Sequence, residues 1–156
     1  MRRFPIRRRD AAGFSMIEVL IALVVLAFGL LGLALLQTMN LRYTKSANQR
    51  TQAVNLSGEL LDMMRSNRSE LAAYEIAETD LSGVTVLPGG CATKAALGAA
   101  SNVDRWKCEV REALGADARV KVVTSTAPAI EINVQWAESN MPTLDEQGKI
   151  QLRTQL

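Results

Sequence analysis

Residues 19–36 form an unbroken apolar run of 18, close to the minimum for crossing a hydrocarbon core of roughly 30 Å. Extending back to Phe14 gives 23 residues in which only Ser15 and Glu18 are polar. The first 13 residues carry five arginines (Arg2, Arg3, Arg7, Arg8 and Arg9) against one acid, Asp10. Arg42, Lys45 and Arg50 follow the run and are fewer, so the charge bias predicts a cytoplasmic N-terminus and an external C-terminal part. A secretory signal peptide has a shorter apolar core and a small-residue cleavage site after it, and here only a cut after Ala34 is conceivable. A plain signal anchor fits the length. Neither reading accounts for Glu18, because a carboxylate inside an apolar span is costly without a partner or a task.

Composition narrows the chemistry further. A chain of 156 residues holds one small domain and an accessory segment. It has no histidine, which removes imidazole bases and His-containing triads, and its two cysteines are too few for a four-thiolate zinc site. Aromatic residues are 4% of the chain, too few for a base-stacking platform. Beyond residue 13 there are 13 basic and 15 acidic residues, so the basic character belongs to the leader and no basic stripe marks the rest. We therefore expect no cofactor, no metal and no nucleic-acid partner.

The arginine-rich leader, Gly13, and the following Phe14-Ser15-Met16-Ile17-Glu18-Val19-Leu20 resemble the class III signal of type IV pilins and type II secretion pseudopilins. The resemblance implies cleavage between Gly13 and Phe14 by a prepilin peptidase, which also methylates the new N-terminus at Phe14. It implies an assembly role for Glu18, the fifth mature residue. The physical logic is that a carboxylate on a staggered neighbouring helix neutralises the new ammonium group where low dielectric strengthens the attraction. A glutamate resting near the headgroups at the helix start is the plainer reading. Ser15 and Met16 replace the Thr-Leu of many members, and no proline interrupts the late apolar half, as one does in many major pilins.

Helical periodicity continues past the apolar run through Ala53, Leu56, Leu60 and Met63, with no proline between residues 14 and 87. This predicts one helix of about fifty residues from Phe14 to near Ser66, amphipathic in its second half, with Gly29, Gly32 and Gly58 as weak points. Arg42, Lys45 and Arg50 read as a solvated stretch just outside the membrane. A short helical piece is expected at Glu70–Ala77, and Pro88-Gly89-Gly90 marks a break. Val103, Trp106, Val110 and Leu114 share one face of a second helix over 102–114, capped by Ser101 or Asn102 and stopped at Gly115. Strands are expected at 119–126, 129–137 and 149–155, the first two turning through Ala127-Pro128, and Met141-Pro142 lies in the later loop. Ile130, Ile132, Val134 and Trp136 alternate with Glu131, Asn133 and Gln135, giving one buried and one wet face. Outside the cytoplasm, Cys91 and Cys108 most simply form a disulfide, since a redox pair more often reads CxxC.

The expected fold is thus α+β: a long N-terminal helix packed on a small antiparallel sheet. Its parts are a leader (1–13), a transmembrane and assembly helix (14–36), its amphipathic continuation (37–66) and a periplasmic head (67–156). Val19–Leu36 followed by Gln37 is also similar to minor pilins of the PilV type, as are the shorter stretches Asp104-Arg-Trp106 and Ile132-Asn-Val134-Gln-Trp136. That resemblance implies a type IV pilus subunit, not an enzyme, that primes assembly at the inner membrane and filament tip and supports adhesion or motility. Its implied partners are the prepilin peptidase, other minor pilins, the major pilin and a tip adhesin. A minor pseudopilin of type II secretion, or a signal-anchored periplasmic adaptor, are the alternatives.

Overall fold

The computed structural model describes residues 13–91, 98–125, 128–138 and 147–156. The leader up to residue 12, Thr126 and Ala127 of the expected turn, and the Met141-Pro142 loop lie outside the described residues. The chain divides into two units, residues up to Leu41 and Arg42–Leu156. Helix α1, Met16–Ser66, runs through the boundary.

In the first unit every described residue is exposed, including the whole apolar run. The second unit has a core, and α1 enters it by one face. Ala53, Ser57, Leu60, Leu61 and Met64 are buried, at the three- and four-residue spacing that places side chains on one side of a helix. Ser57 satisfies its buried hydroxyl by donating to the Ala53 carbonyl at 2.7 Å. Gly29, Gly32 and Gly58 interrupt neither half of the helix.

A 3₁₀ helix at Arg68–Tyr74 and strand β1 at Ile76–Asp80 occupy the stretch where one helical piece, Glu70–Ala77, is expected. Tyr74 drives the difference: its ring is fully buried, and its hydroxyl accepts from Asn67 Nδ2 (3.0 Å) and donates to the Met63 carbonyl (3.4 Å). Pinning Tyr74 against the end of α1 turns the chain outward, and the residues after it pair along the sheet edge. The sheet therefore has four strands where three are expected. β1, β2 (Arg119–Val123), β3 (Ala129–Ala137) and β4 (Gln147–Gln155) lie in that order, all antiparallel.

Helix α2, Ala99–Leu114, begins three residues earlier than its sequence pattern suggests. Neither Ser101 nor Asn102 caps it. Gly98 is the N-cap, without a side-chain bond, and the Glu70 carboxylate instead accepts from the Ala99 N–H at 3.3 Å. An acidic group from another element thus meets the positive end of the helix dipole. Gly115 ends the helix with φ +105°, its N–H bonded to the Arg111 carbonyl at 2.9 Å. Trp106, fully buried, donates its indole N–H to the Leu56 carbonyl at 2.8 Å and so fastens α2 to α1.

The alternating stripe Ile130, Ile132, Val134 and Trp136 is buried and joins Val120 and Val122 of β2 and the helical residues in one core. Asn133 keeps to the expected outer face but is nearly buried there, its amide donating to Glu131 at 2.8 Å. Cys91 and Cys108 are bonded, with Cα atoms 5.7 Å apart, tying the turn at Leu87–Gly90 to α2. A Cys91→Ser/Cys108→Ser chain is expected to lose about 3 kcal/mol of head stability through its freer unfolded state. Denaturant melts of this chain and of reduced parent protein should then coincide, and an unchanged midpoint in either would contradict the bond's stabilising role.

Carboxylates give the head an acid response. The Glu75 carboxylate accepts from the Thr124 hydroxyl (2.7 Å) and backbone N–H (3.2 Å), joining the end of the 3₁₀ helix to the end of β2. The Thr124 hydroxyl first, then its N–H, holds the Glu75 carboxyl below the ordinary glutamate range. A carboxyl lowered on folding contributes stability that is present above its unfolded pKa and disappears as pH falls through its folded one. Glu109 works in the opposite sense: burial, reinforced by Glu59, pushes its carboxyl up, so its protonation favours the folded head in acid. Glu75→Gln should therefore lose less stability than the parent between pH 6 and pH 3, as read by urea midpoints; equal losses would remove Glu75 from the account.

Candidate processing and assembly site

Gly13, Phe14 and Ser15 belong to no helix or strand, and α1 starts behind them. The Ser15 carbonyl accepts from the N–H groups of Glu18 (3.0 Å) and Val19 (3.3 Å), which closes the first turn. Two properties of this junction bear on processing. Phe14 is 83% exposed, and a Cβ at Gly13 would meet nothing within 4 Å, so the peptide bond between them is open on all sides among the described residues.

Glu18 lies in the first turn of α1, where a negative charge interacts well with the helix dipole. Among the described residues its carboxylate makes no hydrogen bond or ion pair, and its neighbours Ile17, Val19 and Leu20 are exposed apolar side chains. Gly13 and Phe14 thus precede, and Glu18 lies in the first turn of, an apolar helix that no described residue covers. An 18-residue window of α1 is long and apolar enough to cross a membrane, and none of it is buried within the chain. Thr38 keeps even its hydroxyl satisfied along this helix, donating to the Ala34 carbonyl at 3.0 Å.

Arg42 and Lys45 are exposed beyond the apolar run, in keeping with a solvated stretch, but Arg50 is engaged. Its Nε lies 3.3 Å from Glu138 Oε1, which also accepts from the Ser46 hydroxyl at 3.1 Å. The Glu138 side chain is only 2% exposed, and its Oε2 has no partner among the described residues. A carboxylate removed from water needs such partners, so Arg50 and Ser46 hold the end of β3 to α1. Nothing in the local sequence pairs residues 88 positions apart; only the fold reveals this link. No cluster of three or more metal-ligating side chains occurs among the described residues.

Residues 8–34 match the family model described as the prokaryotic N-terminal methylation motif. The matched stretch contains Gly13, Phe14 and Glu18 and most of the apolar run. No curated protein and no solved structure matches the chain. The motif is a type IV pilin-like prepilin signal and supports a pilin or pseudopilin family, whose members are structural rather than catalytic. A long apolar N-terminal helix followed by a four-stranded antiparallel sheet is a pilin-like α+β architecture. Together they fit a membrane-anchored pilin-like or pseudopilin precursor, and the motif implies processing by a prepilin peptidase and assembly with other pilins.

Proposed function

We propose that this chain is a minor pilin of the type IV pilus, similar to the PilV type. Prepilin peptidase cuts it between Gly13 and Phe14 and methylates Phe14. Residues 1–13 are then the leader, 14–36 the membrane and assembly helix, 37–66 its continuation and 67–156 the head, with the N-terminus cytoplasmic and the head periplasmic. Glu18 neutralises the new N-terminal ammonium of an adjacent subunit and so selects one stagger of the packed helices. The subunit primes assembly with other minor pilins at the inner membrane and ends at the filament tip, where it supports adhesion or motility.

The observation that carries this reading is the coincidence of the methylation motif at residues 8–34 with an apolar helix that no described residue covers. Such a helix needs lipid before assembly and other helices after it. The direct test is intact mass and N-terminal analysis of the chain from native membranes, with and without prepilin peptidase. A peptidase-dependent species starting at methylated Phe14 is expected. A start at Met1, or near Ala34, would sink the processing assignment. A deletion strain then separates pilus from secretion: loss of surface pili and twitching motility with secretion intact supports the minor pilin, and the reverse supports the pseudopilin.

A further inference from the structure

The outer face of the sheet gathers charges that are scattered in sequence. Cross-strand register sets Arg119 opposite Gln135 and Gln135 opposite Lys149, so one row runs Arg119–Gln135–Lys149 across β2, β3 and β4. Two residues along, on the same face, the next row is Lys121–Asn133–Gln151. Neighbouring strands lie about 4.8 Å apart, which puts Arg119 and Lys149 on the order of 10 Å from each other. These six side chains border a depression of about 230 Å³.

Of the two carboxylates that line this depression, Glu131 is already committed. Glu131 Oε1 accepts from Asn133 Nδ2 and Gln151 Nε2, both at 2.8 Å, and Oε2 accepts from Arg153 Nε at 2.8 Å. Glu131 therefore leaves the other cations unneutralised. Arg119 pairs in register with Asp80 on β1, while Lys121 and Lys149 have no ion pair among the described residues. Glu78 at the rim is the remaining acid of the depression. With Glu131 paired to Arg153 and Asp80 facing Arg119, Lys121 and Lys149 outnumber Glu78, a local balance of one positive charge on a chain whose residues beyond the leader include 13 basic and 15 acidic side chains.

The chemistry of the lining selects among anions. Among the described residues no aromatic side chain lines the depression, so bases and sugar rings find no surface to stack on there. Two lysines, an arginine and the Gln135 amide on a shallow floor suit carboxylates presented at strand-like spacing by an extended peptide. We propose that this face docks an acidic, carboxylate-rich segment of a partner protein. The surface is independent of how the N-terminus is processed.

The test uses the full chain purified in detergent at low salt, with a fluorescent hexaglutamate peptide as the probe. Saturable, salt-sensitive binding is expected, weakened roughly tenfold in Arg119→Gln/Lys121→Gln/Lys149→Gln. A control with the same charge change elsewhere, Arg65→Gln/Arg68→Gln/Lys107→Gln, should stay within about twofold of the parent. If the first triple variant melts below the parent, single Lys121→Gln and Lys149→Gln chains carry the test, each weakened about twofold to threefold. Absence of hexaglutamate binding, equal losses in both triple variants, or unchanged binding in the two single variants would overturn the proposal. Tighter binding of a hexathymidylate strand would overturn it in favour of a nucleic-acid ligand.

Discussion

A Gly13→Val chain is expected to fold like the parent and to keep its leader, giving an intact mass that starts at Met1 with no species starting at Phe14. The expectation separates recognition from folding. Gly13 precedes α1, its φ is not in the left-handed region, and a Cβ there meets nothing within 4 Å. Valine therefore costs the fold nothing visible in the structure. At the bond proposed for cleavage it does cost something: two methyl groups on Cβ crowd the scissile carbonyl and stiffen the residue. A misplacement of about 1 Å at a reacting carbonyl is enough to slow a reaction on the order of a hundredfold. Melting of the head, read by circular dichroism, should be unchanged beside the processing defect. A variant cut as fast as the parent would remove the Gly13–Phe14 assignment, and a chain that unfolded would show that Gly13 has a structural task.

How far such reasoning reaches from sequence alone depends on whether a feature is periodic or relational. The long helix was legible because an unbroken apolar run is followed by residues recurring at helical spacing through Ala53, Leu56, Leu60 and Met63, and no proline intervenes. Gly115 was legible as a stop because only a residue without Cβ adopts its φ of +105° freely. The stripe from Ile130 to Trp136 was legible from its alternation. β1 was not. Its sequence, Ile-Ala-Glu-Thr-Asp, is short and half helix-forming, and only Ile76 is buried. Its strand state comes from pairing with β2 across an irregularity between Ile76 and Thr79, a tertiary effect that overrides weak local preference.

The sites divide in the same way. Gly13, Phe14 and Glu18 sit at fixed short offsets, so a linear pattern can expose them, and the match over residues 8–34 falls on the same segment. The Arg50–Glu138 link and the Arg119, Lys121 and Lys149 surface depend on register between elements far apart in the chain. Alternation marks Arg119 and Lys121 as sharing a face, but Lys149 joins them only once β4 is aligned on β3. Charge counting over the whole head, which shows a slight acidic excess, hides that face altogether.

Register also sets the largest stability effect expected in the head. Trp136 on β3 lies directly opposite Gly148 on β4, and the indole, 1% exposed, fills the place where a side chain at 148 would stand. A Cβ there would fall within the van der Waals envelope of the Trp136 ring, including its Nε1 at 2.5 Å. Gly148→Ala must therefore push the indole out of the core or part the two strands, at about 3 kcal/mol. For a head of this size that lowers the melting temperature by on the order of 10 °C. Gly58→Ala is the matched control: it too adds one methyl, but into open space on a helix, where removing glycine should stabilise by about 0.5–1 kcal/mol. Combining Gly148→Ala with Trp136→Phe should recover part of the loss, since the smaller ring yields room and the buried indole N–H has no hydrogen-bond partner among the described residues to lose. The double-mutant cycle then gives the coupling directly. If Gly148→Ala melts with the parent, or if Trp136→Phe restores nothing, the indole does not stand over Gly148 and the β3–β4 register must be redrawn.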